Sequence, residues 1–195
     1  MVSDGEYLKT AEETFKEAVN IARSEDGWKA EKEDKANEVL VEMKKNSKGK
    51  KIYRCTAKIN MPAKLLVDAI RDTDKITTWN YTLTEARVLK KLTDDVAISY
   101  QITTDAAGGM VSARDFIYLS QVGYEGEQFI MGGKSVEFEN GPKSSKIVRA
   151  INGPGCQMVT PCPGDANSCT FIWLMDCEYK GMMLQSILDI ALPIA

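Results

Sequence analysis

The stretch SYQITTDAAGGMVSARDF, residues 99–116, decides the fold. Around it, apolar and polar residues alternate from Val96 to Thr104, which is typical of a β-strand with one face turned inward. The alternation stops at Ala106-Ala107-Gly108-Gly109 and resumes in a second segment, from Ala113 to Val122. The stretch therefore predicts two strands joined by a loop, and it leaves open whether Arg114-Asp115 is a site or a piece of architecture.

Further segments of the same alternating kind surround this pair of strands. They run over Trp28–Lys32, Glu38–Lys44, Tyr53–Ile59, Ala86–Leu92, Gln128–Gly132, Lys146–Ile151 and Thr170–Glu178. Gly and Pro residues separate them, and this favours a long antiparallel meander.

Helical spacing of apolar residues marks three other regions. The first helix has Ser3 or Asp4 as its cap, and its apolar positions are Leu8, Ala11, Phe15, Ala18, Val19 and Ala22. A second helix is predicted from a cap at Asn60 to about Asp72, followed by a short turn to Trp79-Asn80. The last has apolar positions Leu184, Ile187, Leu188 and Ala191. We interpret residues 1–195 as one α+β domain.

Composition argues against several classes of function. The chain has 25 Lys and Arg, 28 Asp and Glu and no histidine, and its net charge is −3. No extended basic stripe is present, so nucleic acid is not an expected partner. Without histidine, the Ser-His-Asp triad and most catalytic zinc sites are excluded. We therefore expect no enzyme activity, no cofactor and no metal site.

Features of the whole chain predict a cytoplasmic protein that is peripheral to membranes. No apolar run reaches the roughly 20 residues that span a bilayer, and the start MVSD lacks the character of a signal peptide. The five cysteines form no CxxC motif, which fits unpaired thiols in a reducing compartment.

On three of the segments, every second residue belongs to a candidate interior face. The three sets are Ser99, Gln101 and Thr103; Phe116, Tyr118 and Ser120; and Phe171, Trp173 and Met175. Two of the faces mix polar and apolar residues, as a wall around a lipid with a head group would. Plain core packing is the commoner explanation of such an alternation.

Five motifs together resemble the START lipid-transfer domain in its cholesterol-binding branch. They are EDGWKAEK (25–32), DKITTWN (74–80), AISYQITTDAAGGMVSARDFIYL (97–119), KIVRAINGPGCQMVTP (146–161) and SCTFIWLMDCEYKGMMLQSIL (168–188). The resemblance implies a helix-grip fold, in which a curved antiparallel sheet wraps a C-terminal helix around an internal tunnel for one lipid. Family members usually continue the last helix beyond the point where this sequence ends, at Ala195 just after Pro193, so either the C-terminal part of the helix is missing here or the lid is short and the tunnel partly open.

The resemblance also implies roles for residues near the loop. Ala106, Ala107, Gly108, Gly109 and Met110 would form a gating loop. Arg114 would anchor loop or helix ends through charge-assisted hydrogen bonds, with ligand contact as the alternative, and Asp115 would accept local backbone N–H groups.

Two departures from the family pattern concern the ligand. At the positions where the cholesterol-binding relatives carry a buried acid and a buried Arg, this sequence has Gln101 and Ser120, so the tunnel would be neutral. Such a tunnel suits a sterol or a longer isoprenoid such as a carotenoid, which an insect branch of the family binds. Trp79, Asn80, Tyr118 and Trp173 are further wall candidates, with core packing as the alternative.

The expected function is intracellular binding and transfer of one hydrophobic isoprenoid, a carotenoid such as lutein or a sterol. The expected partners are that lipid and, transiently, membranes, and the expected state is a monomer. The alternatives are a lipid-sensing interaction module without net transport and a strict cholesterol carrier.

Overall fold

The first element, helix α1, spans Asp4–Arg23 in the computed structural model, which describes residues 2–105, 111–143 and 147–180. Its N-terminus is a capping box: the Glu6 N–H donates to Ser3 Oγ, and the Ser3 N–H donates to the Glu6 carboxylate at 2.7 Å. Such a box satisfies donors that the first helical turn leaves unpaired. The predicted first helix and its Ser3 cap are confirmed.

Twelve strands follow α1 within the described residues. They are β1 (Lys29–Asp34), β2 (Val39–Lys45), β3 (Lys51–Ile59), β4 (Leu83–Lys91), β5 (Val96–Thr103), β6 (Arg114–Glu125), β7 (Gln128–Ser135), β8 (Val148–Arg149), β9 (Ile151–Asn152), β10 (Gly155–Cys162), β11 (Asp165–Met175) and β12 (Cys177–Glu178).

Nine of these strands form one antiparallel path in the order β1-β2-β3-β11-β10-β7-β6-β5-β4. The meander predicted from the sequence is present from β4 to β7 and continues through β10 and β11. Strand β11 then pairs with β3, from Cys169 opposite Ile59 to Met175 opposite Tyr53. The N-terminal strands therefore extend the sheet beyond the last long strand of the chain.

The connection from β3 to β4 contains helix α2 (Ala63–Arg71) and a 3-10 helix (Thr73–Thr78). Pro62 is the N-cap residue of α2, and no side chain caps this helix. The prediction of Asn60 as the cap is wrong, because the helix begins after Pro62, whose fixed φ suits a helix start without a side-chain acceptor. The predicted end at Asp72 is confirmed.

Helix α1 covers one face of the sheet. Its residues Ala18, Val19 and Ala22 pack with a buried cluster that includes Ile52, Ile130, Met158 and Leu174. Nearer its N-terminus, Tyr7 and Ala11 pack with Ile98, Ile117 and Leu119. We call this the α1 face. Because side chains alternate along a strand, the neighbours of these residues point to the opposite face, which we call the inner face.

Helix α2 packs on one end of the inner face. Its Val67 and Ile70 contact Phe129, Val159 and Cys169, which are all buried. The α+β class and the large curved antiparallel sheet are confirmed. The predicted C-terminal helix, with Leu184, Ile187, Leu188 and Ala191, lies outside the described residues. Among the helices that are described, none is long and apolar enough to cross a membrane.

Candidate functional site

The inner face is built from directly paired residues of six strands. Val122 lies opposite Met131, which lies opposite Gln157, then Trp173 and Cys55. Neighbouring rows add Ser99, Gln101, Phe116, Tyr118, Ser120, Phe129, Gly133, Ser135, Gly155, Val159, Phe171 and Ala57. None of these side chains carries a formal charge. The inner face therefore offers an apolar surface with isolated neutral polar groups.

The middle of the inner face is less completely filled than the α1 face. Ile130, Met158 and Leu174 are each no more than 1% exposed. Their neighbours in the chain, Met131, Gln157 and Trp173, turn to the inner face and remain partly exposed. Protein interiors are normally close-packed. Apolar side chains that keep accessible surface on an interior face are therefore positioned to line a ligand site.

Gln101 and Ser120 both lie on the inner face, but they do not face each other. Gln101 is opposite Phe116, and Ser120 is opposite Ala97. The two positions are thus four residues apart along the strand direction, or about 13 Å. Tyr118 lies between them on the same face. This register does not place the two side chains opposite each other, and contact of each with a ligand stays a prediction.

Tyr118 and Trp173 occupy the inner face as the sequence predicted, and their contact with a ligand stays a prediction. The Tyr118 hydroxyl lies 3.5 Å from the Gly155 carbonyl oxygen. Burial raises the pKa of this phenol well above its ordinary value, so it remains a neutral donor. The Trp173 ring lies 6.4 Å from the Phe171 ring at 52°, so two aromatic rings form a wall on β11.

Trp79 and Asn80 lie at the end of the 3-10 helix, away from the paired strands of the inner face. Trp79 is 37% exposed, and its indole N–H donates to the Ala69 carbonyl of α2 at 3.3 Å. Asn80 Oδ1 accepts from the Thr82 N–H and hydroxyl at 3.1 and 2.6 Å, which closes a turn before β4. These local roles do not support ligand contact, which stays an untested prediction for both residues.

Arg114 is a buried anchor, as its sequence interpretation proposed. Its guanidinium donates to the Ser112 carbonyl at 2.6 Å, the Tyr179 carbonyl at 2.6 Å and the Lys180 carbonyl at 3.1 Å. These bonds tie the segment before β6 to the segment after β12. Because these N–H donors of Arg114 already bond to backbone carbonyls, the architectural role is favoured over ligand contact. The predicted gating loop, Ala106, Ala107, Gly108, Gly109 and Met110, lies outside the described residues.

Asp115 points to the α1 face and takes part in an ion pair. Its two carboxylate oxygens accept from Arg149 at 2.7 and 2.8 Å, and the Tyr100 hydroxyl donates to Oδ2 at 3.0 Å. The prediction that Asp115 accepts local backbone N–H groups is wrong, because a cation from β8 occupies the carboxylate instead. Burial and the bond to Asp115 raise the pKa of Tyr100 to about 12. The pair joins β8 to β6 and is structural.

Sequence reasoning missed a polar network at the end of the inner face. Ser135 Oγ accepts from the Asn152 N–H at 2.9 Å, and Asn152 Oδ1 accepts from the Cys177 thiol at 2.6 Å. Burial raises the pKa of Cys177 to about 12, so the thiol stays protonated and donates. These residues come from β7, β9 and β12, and no local pattern connects them. The bond from Cys177 to Asn152 adds a side-chain link to the backbone pairing of β9 with β12.

A curved sheet with one packed face and one uncharged, partly open face defines a domain for hydrophobic ligands. The START domain model matches residues 8–191 of the chain. The chain therefore belongs to the START domain family.

Curated relatives agree with this assignment. The chain is 27% identical to the mitochondrial steroidogenic acute regulatory proteins of Equus caballus and of Homo sapiens over 184 residues. It is 28% identical to the steroidogenic acute regulatory protein of Xenopus laevis over the same number of residues. In each case 94% of this chain matches 64% of the relative's length.

Solved structures show the same fold. Human StAR-related lipid transfer protein 5 superimposes with a TM-score of 0.91 at 21% identity, over 98% of this chain and 91% of that chain. Human STARD10 superimposes with a TM-score of 0.77 at 18% identity, over 97% and 73% of the two chains. At these identities the likeness establishes the fold and not the ligand.

Proposed function

We propose that this protein binds one isoprenoid molecule, a carotenoid or a sterol, against the inner face and transfers it between membranes without chemical change. The observation that carries the proposal is the uncharged, partly exposed inner face formed by Val122, Met131, Gln157 and Trp173. Removing apolar surface from water, at roughly 25 cal/mol per Å², would supply the binding free energy.

The distribution of polar groups supports an isoprenoid over a charged lipid. A phosphate or carboxylate head group normally meets Arg or Lys side chains. On the inner face the paired positions are neutral, and the guanidinium of Arg114 at its margin is occupied by backbone carbonyls. A ligand with a hydroxyl head and a hydrocarbon body matches this surface. Phe171 and Trp173 would lie along the hydrocarbon.

Membership in a family whose named relatives include a lipid transfer protein supports transport rather than catalysis. We propose that the protein works as a monomer at the cytoplasmic surface of membranes, with transient contact during loading and release. No observation specifically favours a lipid-sensing module, and the choice between a carotenoid and a sterol is left to the experiment.

The test is co-elution of ligand with protein on gel filtration. The protein is incubated separately with lutein and with a fluorescent sterol, and the retained ligand is measured by visible absorption and by fluorescence. We expect a stoichiometry near one for at least one of the two. Retention of lutein alone identifies a carotenoid carrier, and retention of the sterol alone identifies a sterol carrier. Retention of neither contradicts the proposal.

Two adjacent residues of β6 provide a matched pair of variants. Val122 turns to the inner face and Gln121 to the α1 face, and both are partly exposed. Val122→Asp places a charge on the inner face and should abolish retention, because the charge would lose hydration when ligand binds. Gln121→Asp should retain ligand. Far-ultraviolet circular dichroism shows whether each variant is folded.

A further inference from the structure

Two polar groups on the inner face lack adequate hydrogen-bond partners. The side-chain oxygen Oε1 of Gln157 is buried and accepts no hydrogen bond from the residues that the structure describes. The Tyr118 hydroxyl has the Gly155 carbonyl at 3.5 Å, which is at the outer limit for an O–H donor that normally lies within about 3 Å of its acceptor. Buried polar groups in native proteins are nearly always paired. This pair of exceptions therefore calls for an explanation.

The two groups converge on the same part of β10. The Tyr118 hydroxyl reaches from β6 across β7 to Gly155, and Gln157 is two residues further along the same face, or about 7 Å. Gly133 lies directly opposite Gly155, so the two positions of this row on β7 and β10 carry no side chain. A Gln side chain extends several ångströms from its backbone. One oxygen atom placed between the two side chains can lie within hydrogen-bond distance of both.

Other polar groups of the inner face are less suited to bind a ligand hydroxyl jointly. Ser135 and Asn152 are already occupied by the network that includes Cys177. Gln101 and Ser120 are four residues apart in register on neighbouring strands, and neither has a buried polar atom without a hydrogen-bond partner among the described residues. Tyr118 and Gln157 together provide one donor and one acceptor without adequate partners.

We propose that Tyr118 and Gln157 bind the terminal hydroxyl of the isoprenoid ligand, a sterol or xanthophyll ring hydroxyl. The ligand oxygen accepts from the Tyr118 O–H, and the ligand O–H donates to Gln157 Oε1. This inference rests on the proposed function and assigns the head-group contact within it. Of the neighbours of Gln157 across the strands, Met131 has no N–H or O–H donor, and the indole N–H of Trp173 makes no hydrogen bond to Gln157 Oε1.

The arrangement makes the protein selective for hydroxylated ligands. A site built to hydrogen-bond a hydroxyl discriminates against the analogue that lacks it, because the protein groups are then left unpaired. In contrast, an apolar wall would bind the two analogues almost equally. Selectivity between such a pair of ligands is therefore the property that reports on Tyr118 and Gln157.

The experiment compares dissociation constants for matched ligands that differ only in hydroxylation: zeaxanthin against β-carotene, and cholesterol against cholest-5-ene. The unaltered chain should bind the hydroxylated member of at least one pair more tightly by about tenfold or more. Tyr118→Phe and Gln157→Leu should each weaken binding of the hydroxylated ligand about five- to tenfold and change binding of the other little. Gln121→Leu, on the α1 face of β6, is the matched control and should preserve the ratio, whereas Gln101→Leu tests the competing position on the inner face.

Each outcome bears on one of the two claims. If the unaltered chain binds no member of either pair, the proposed function fails, and this inference fails with it. If it binds both members of each pair equally, the proposed function stands and the inference is overturned. The inference is also overturned if Gln101→Leu reduces the ratio while Tyr118→Phe and Gln157→Leu preserve it.

Thermal unfolding without ligand separates this role from a structural one. A glutamine that held the sheet together would lower the midpoint when replaced. Because Gln157 Oε1 has no partner, Gln157→Leu should leave the midpoint unchanged or raise it. Saturating cholesterol or zeaxanthin should then raise the midpoint less for Gln157→Leu than for the unaltered chain. A lowered midpoint without ligand and an unchanged ligand effect would contradict the proposal.

Discussion

Along β11 the side chains alternate between two environments. Leu174 is 1% exposed and belongs to the cluster beneath α1, whereas Trp173, one residue earlier, turns to the inner face and remains partly exposed. The same contrast holds for Ile130 and Met131 on β7 and for Met158 and Gln157 on β10. At these positions the α1 face is therefore the more tightly packed of the two, and the inner face keeps surface that a ligand can cover.

The largest expected effect comes from truncating a side chain of the α1 face. Ile130 is 0% exposed and packs with α1, so Ile130→Ala should lower the free energy of unfolding by about 2–5 kcal/mol. Met131→Ala, the matched variant on the inner face, should cost less than half of that without ligand. Urea titration measures both. Equal losses would show that the inner face is packed as tightly as the other.

A smaller effect is expected from the ion pair on the α1 face. Asp115 is 1% exposed and Arg149 is 38% exposed at the side chain. Asp115→Asn should cost about 2 kcal/mol, below the usual loss for a fully buried pair, because Arg149 can turn to water. Arg149→Gln leaves the buried carboxylate without its cation and should cost more than Asp115→Asn. The reverse order, measured by urea titration, would contradict this assignment.

The smallest expected effect is a dependence on alkaline pH. The pKa of Tyr100 is raised from 10.0 to about 12, so the folded protein keeps a proton that the unfolded chain releases. Its contribution to stability is therefore present below pH 10 and is lost as the pH rises towards 12. The unfolding midpoint should fall more steeply between these values in the unaltered chain than in Tyr100→Phe. If the unfolding midpoint falls equally steeply with pH in both proteins, Tyr100 is not the source of the loss of stability.

Local patterns were sufficient to predict much of the fold. Helical spacing from Leu8 to Ala22 predicted α1, and alternation predicted β5 and β6 to within a few residues. Strand parity also predicted correctly that Gln101, Tyr118, Ser120 and Trp173 turn to one face. Helical spacing and strand alternation depend on residues that are close in sequence, so both can be recognised in a single sequence.

Features that depend on distant residues could not be predicted. Arg149, the partner of Asp115, is 34 residues away and lies on a two-residue strand. The offset between Gln101 and Ser120 depends on strand register, which parity does not determine. Gln157 lies within the motif KIVRAINGPGCQMVTP, but the motif does not mark it as a ligand contact. Gln157 is distinguished by the missing hydrogen-bond partner of its Oε1 atom, and this can be recognised only in the structure.

The most direct test of the central claim is protection of a thiol on the inner face. Cys55 lies opposite Trp173 on the inner face and is partly exposed, while Cys162, also partly exposed, lies near the end of β10. N-ethylmaleimide modification of each residue is followed by mass spectrometry with and without bound ligand, lutein or cholesterol, whichever co-elutes. We predict that ligand slows modification of Cys55 at least tenfold and leaves Cys162 unchanged. Unchanged modification of Cys55 in a protein that retains ligand would place the ligand elsewhere and contradict the account.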